Sequence, residues 1–190
     1  MDTLQTTSTA ATQDESWGML ERAIGYTRMA LQEITPVMLC LPTPCSRWRL
    51  APLLDHMAAS LDELVRAADL DGLTESRPSG RPSPVDAVER LRVRACSLLS
   101  AWSHLADADA AADRAVLAGA GALEIAVHGW DISQTTGARA PIPAALARDL
   151  LPWVDLLVSE ADRPHRFDYP LDGPTIGPSS RLLMRLGREP

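Results

Sequence analysis

Apolar residues recur at three- and four-residue intervals through five long stretches of this chain, a period that commits it to helices. The first stretch covers about residues 16–40, with Leu20, Ile24, Leu31, Ile34 and Met38 on one face; Pro42 and Pro44 are expected to end it. The second covers about 50–68, with Leu53, Leu54, Met57, Leu61, Leu64 and Val65 inward and Pro52 in the first turn, where proline is tolerated. The third covers about 84–105, with Val85, Val88, Leu91, Ala95 and Leu98 inward. The fourth covers about 113–136, with Gly137 placed to cap it in the left-handed conformation. The fifth covers about 143–161 and carries Leu146, Leu150, Trp153, Val154 and Leu157.

What separates the stretches is equally regular. Residues 1–13 are rich in Thr, Ser and Ala and read as a disordered tail. Residues 69–84 carry prolines and glycines and read as a loop. From residue 163 to 190 the chain is again rich in Pro and Gly, then closes with the amphipathic piece SSRLLMRLG. We read this as an extended arm that wraps the helices and ends in a helical turn. A single all-α domain over 14–190 follows: a four-helix bundle with an additional helix and a C-terminal arm.

Charge and composition exclude several classes. The net charge is −7 and the arginines are scattered among Asp and Glu, so no basic stripe offers itself to nucleic acid. All 18 basic residues are Arg, a pattern better explained by GC-rich coding than by packing. The absence of Lys removes Schiff-base chemistry and Walker-type phosphate loops. Cys40, Cys45 and Cys96 are too few and too widely spaced for a disulfide framework or a zinc knuckle. No signal peptide and no membrane span is read from the sequence. A cytoplasmic protein with reduced thiols, acting on a small molecule, is the expectation; a homodimer through a helix face is compatible with it.

The chemistry-bearing residues are few. Glu124 and His128 stand four residues apart in the fourth helix and so project from one face. A carboxylate and an imidazole so placed can grip one divalent ion, and they equally suit a plain hydrogen-bonded pair. His56, in the second helix beside the apolar stripe, is the candidate third ligand, since bundle cores build metal sites from facing helices. Asp131, three residues after His128, either orients a ligand histidine or is a solvated helix residue. Asp55 points away from His56 and reads as a surface residue. His104 reads as a cation at the end of the third helix, and His165 as a tail residue. Cys45 reads as loop packing, Cys40 and Cys96 as core. Arg47, Arg49, Arg181 and Arg185 either bind a substrate carboxylate or are solvated.

Three segments carry a resemblance. TPCSRWRLAPLLDH (43–56), LEIAVHGWDISQTTG (123–137) and GPSSRLLMRLGREP (177–190) resemble, in order, segments of the DinB-like proteins related to mycothiol-dependent maleylpyruvate isomerase. The resemblance implies a DinB-like bundle with a divalent metal, usually zinc, held by His56, Glu124 and His128, which are also the expected catalytic residues. It favours a zinc-activated thiolate, with mycothiol as the thiol, in transfer or isomerisation. The maleylpyruvate isomerases carry a further C-terminal domain that 190 residues cannot hold, which argues against maleylpyruvate as substrate. Two other readings stand beside this one. The metal acts without a thiol, as Lewis acid in hydrolysis, elimination or cyclisation in secondary metabolism; or the protein is a non-catalytic metal-binding stress or interaction protein.

Overall fold

A computed structural model describes the backbone at residues 3–67, 88–93, 95–96 and 111–190. The described residues are mostly helical; their one β-type pairing is an isolated antiparallel bridge between Pro42 and Arg49. Helix α1 spans Thr3–Gln32, α2 Leu50–Ala67, α4 Ala111–Thr136, α5 Ala144–Leu157 and α6 Gly177–Arg185. Residues 88–93 and 95–96 are helical, and the label α3 is used for them. The loop expected at 69–84 and His104 lie outside the described residues.

Helix α1 departs from its expected bounds at both ends. Its backbone is helical from Thr3, so the segment read as a tail is continuous with the helix. It stops at Gln32, well before Pro42. Pro36 is the reason: it holds Thr35 extended (φ −111°, ψ 156°), and the chain re-enters a 3-10 turn only at Pro36–Cys40. Cys40 is thereby displaced from any core face and is exposed, as is Cys96; both were expected inside.

Helix α4 is the axis of the molecule. Helix α1 packs along it most extensively, and α2 and α5 also lie against it. The contact with α1 is close at Gly129: a Cβ there would stand 2.2 Å from Thr27 Oγ1. That hydroxyl donates to the Ile125 carbonyl at 2.8 Å, so a buried side chain of α1 is bonded to the backbone of α4. Gly119 makes similar room for the Trp153 ring of α5. By length and composition Arg114–Thr136 is apolar enough to cross a membrane, contrary to the sequence expectation, yet 78% of that window is buried inside the protein. It is a core helix. Leu20, Leu50, Leu53, Leu54, Leu146 and Leu150 are fully enclosed around it, as is its own Ile132.

The C-terminal arm is pinned rather than loose. Helix α6 buries Leu182, Leu183 and Met184 and packs on α5. Arg163, almost fully buried, donates to the Arg185 carbonyl at 3.0 Å and also to the Asp168 carbonyl. Past the helix, Gly187 (φ +74°) donates to Met184 O at 3.1 Å, and the Arg188 amide donates to Leu183 O at 2.9 Å. This is the paired-bond cap that a left-handed glycine permits. A Cβ on Gly187 would also stand 2.4 Å from that of Asp168, so the position needs glycine twice over.

Candidate metal centre

Helices α2 and α4 bring His56, Glu124 and His128 together, with one ligand atom from each lying within 4.8 Å of the others. His56 Nε2 lies 2.9 Å from Glu124 Oε1. The His56 and His128 rings meet edge to face, with centroids 5.4 Å apart. Spacing explains the placement. Glu124 and His128 are one turn apart on α4, and His56 follows Leu53 on the apolar side of α2. Ser60, a turn beyond His56, donates to Glu124 Oε1 at 2.5 Å. Burial pushes the Glu124 carboxyl up, but the bonds from His56 and Ser60 outweigh it and hold the group below its ordinary range.

His128 is held from behind. Its Nδ1 lies 2.9 Å from Asp131 Oδ2, and Asp131 is completely buried. The Arg188 guanidinium closes on the same carboxylate with Nε 3.2 Å from Oδ1 and Nη2 3.2 Å from Oδ2. Burial raises the Asp131 carboxyl, yet the His128 bond and the Arg188 charge prevail and lower it, so it is ionised. An ionised carboxylate only accepts. A donor is therefore called for at His128 Nδ1, and Nε2 is the ring nitrogen left outside this bond. Asp131 is thus not a solvated helix residue: it is buried and bonded to His128.

The loop at 41–49 forms a wall of the site. Leu50 N bonds Leu41 O at 3.0 Å, and Arg49 Nη1 bonds Cys40 O at 2.6 Å, closing the loop at its base. Thr43 Oγ1 bonds Trp48 O at 2.7 Å from inside it. Ser46 bonds Asp168 at 3.1 Å and so ties the loop to the arm. Trp48 is thereby laid on His56, with ring centroids 4.1 Å apart and planes 26° apart, and it meets His128 edge-on at 5.9 Å. Trp130, by contrast, is buried in the core.

A second group of possible ligands, Cys45, His128 and Asp131, lies beside the first. Its chemistry opposes a cation. Both Asp131 oxygens are already engaged, the Arg188 guanidinium sits against them, and burial pushes the Cys45 thiol up, away from the thiolate a metal needs. In the group of His56, Glu124 and His128, by contrast, Glu124 Oε1 meets the neutral Ser60 hydroxyl and His56 rather than a guanidinium. This group fits a divalent ion: two imidazoles and a carboxylate, from two helices, about a third exposed at His56.

The remaining candidates are dispersed. Asp55 is exposed and pairs with Arg90 of α3 at 3.0 Å. His165 is exposed on the arm. Arg47 lies over the Trp48 ring at 5.4 Å, Arg181 is exposed, and Arg185 pairs with Asp155 of α5. Reading the sequence missed Ser60 and Arg188. Ser60 had a local signal, being four residues after His56; Arg188 had only its place in the Leu-Gly-Arg ending. No family model matches this chain, and neither a curated protein nor a solved structure matches it.

Proposed function

We propose that the chain is a DinB-like four-helix-bundle enzyme that acts on a small molecule through one divalent ion, zinc in the first instance. His56, Glu124 and His128 would hold the ion, and a thiol of the mycothiol type would be the co-substrate. One observation carries the reading: donor atoms from α2 and α4 converge within 4.8 Å, and the third of them is already oriented by a buried carboxylate. Outer-shell partners of this kind accompany ligand histidines, because they fix tautomer and ring together.

Three protein donors leave coordination positions for an exogenous ligand, which separates such a centre from closed structural zinc sites. When bound, the ion supplies Lewis acidity that lowers the pKa of a thiol or water placed on it. The protein's own part is orientation and shielding. Glu124 offsets cationic charge, the Asp131–His128 pair presents Nε2, and Trp48 covers one side of His56 with an apolar ring. The conjugating or isomerising step, thiolate attack on an electrophilic carbon, would occur on the open side.

Metal analysis of the purified chain tests the ligand set. One equivalent of zinc is expected in the wild type, with loss in Glu124→Ala and in His128→Ala. Full metal content with full activity in Glu124→Ala rules the ligand set out. Cobalt substitution followed by thiol titration then separates the chemistries. A thiolate-to-cobalt charge-transfer band supports the thiol route. Turnover without added thiol selects the Lewis-acid route instead, and a centre with no exchangeable ligand marks a non-catalytic protein.

A further inference from the structure

The Arg188–Asp131 pair joins two parts of the chain 57 residues apart and is shut away from solvent at both ends: Arg188 is 2% exposed and Asp131 0%. A buried pair of this kind is weak evidence for stability, since desolvation offsets much of the attraction. What it supplies here is geometry. The fork of Arg188 occupies one lone pair on each Asp131 oxygen, and Oδ2 keeps a second for His128 Nδ1. The carboxylate cannot rotate without breaking these bonds. Arg188 is fixed in turn. Its Nη1 donates to Leu186 O at 3.0 Å, and its backbone is set by the Gly187 cap. The sequence Leu186-Gly187-Arg188 thus has a physical content: an enclosed anchor, a left-handed turn, and a charge aimed back into the core.

Resting on the metal-centre reading above, we propose that Arg188 is a positioning residue. Through Asp131 it fixes the ring and tautomer of His128, so the C-terminal arm completes a ligand set carried by α2 and α4. Without the guanidinium, Asp131 keeps His128 as its remaining side-chain partner and is free to turn away. His128 then has no fixed acceptor at Nδ1, and its Nε2 is no longer reserved for a ligand.

The test uses the full chain and two readouts. The first is the tautomer of His128, read from imidazole nitrogen chemical shifts of metal-free protein in mildly alkaline buffer. The wild type is expected to show the Nδ1–H form. Arg188→Gln is expected to show a mixture, and Arg188→Lys to restore part of it. Asp131→Asn is expected to favour Nε2–H, because an amide can donate to Nδ1. The second readout is zinc affinity by chelator competition, expected to fall ten- to a hundredfold in Arg188→Gln.

Arg163→Gln serves as the control. It loosens the arm through the Asp168 and Arg185 carbonyls without touching Asp131, so both readouts should stay as in the wild type. If Arg188→Gln does not fold, Arg188→Lys carries both measurements, with a smaller shift of the same sign. Wild-type tautomer and affinity in the folded Arg188 variants overturn the proposal. So does an equal loss in Arg163→Gln, since the arm then acts only by its bulk stability. Absence of zinc binding in the wild type overturns the metal reading alone, because the tautomer still decides what Arg188 does.

Discussion

At the scale of single residues, the decisive feature is how few polar groups are enclosed and how completely each is bonded. Among the described residues, no buried side-chain nitrogen or oxygen lacks a partner. Removing one member of such a set costs more than the set contributes. Arg188→Met should therefore destabilise the fold by about 3–5 kcal/mol, and Asp131→Leu by a similar amount. The double variant should recover most of that loss, as urea titration would show. A different carboxylate gives a pH prediction. The Ser159 hydroxyl and amide, with Arg166, hold the Asp162 carboxyl at about 2, below its ordinary 3.8. A lowered value means that ionisation favours the folded state. The contribution is complete above the ordinary value and is lost as pH falls towards 2, which a side-chain NMR titration would follow. Residue-scale features were legible where spacing alone decides. Glu124, His128 and Asp131 share one turn-by-turn register on α4, so their proximity was visible. The partner of Asp131 was not, since nothing local marks a residue 57 positions away.

At the scale of elements, the apolar period located α2, α4 and α5 to within a few residues: α2 and α5 turn one apolar face to the core, and α4 is apolar nearly all round. Helix α1 was misjudged at its end. Its apolar spacing runs on past Gln32 through Ile34 and Met38, towards the stop expected at Pro42 and Pro44, but Pro36 intervenes. The backbone obeys the proline. The resulting break lets the chain fold back into the loop at 41–49, which sets Trp48 over His56. Helix contacts also yield a substitution to measure. Gly129→Ala places a methyl against Thr27 and should cost about 1–3 kcal/mol, as overpacking does. Adding Thr27→Ala should restore part of it, so a double-mutant cycle should show a coupling beyond simple additivity. The same variant bears on the site, because Gly129 adjoins His128.

At the scale of the molecule, the proposed ligands come from elements that do not adjoin in sequence, so metal and fold are linked. An ion that binds only the folded chain stabilises it by mass action, about 2.7 kcal/mol at a free concentration a hundred times its dissociation constant. Added zinc should accordingly raise the melting temperature of the wild type and leave Glu124→Ala unmoved, as calorimetry would test. The all-α class was readable from composition and period together. The packing of α4 as the enclosed axis was not, because its small residues, Gly119, Gly121 and Gly129, reveal their purpose only against Trp153, Leu64 and Thr27.

The burial of Asp131 also bears on the order of events during synthesis. A ribosome makes residue 131 long before residue 188. Until then a carboxylate that is fully buried in the finished fold has, of its side-chain partners there, only His128. Closing the helices tightly around α4 at that stage would enclose an unmatched charge. The residue that answers this carboxylate with a full charge is thus among the last to be made.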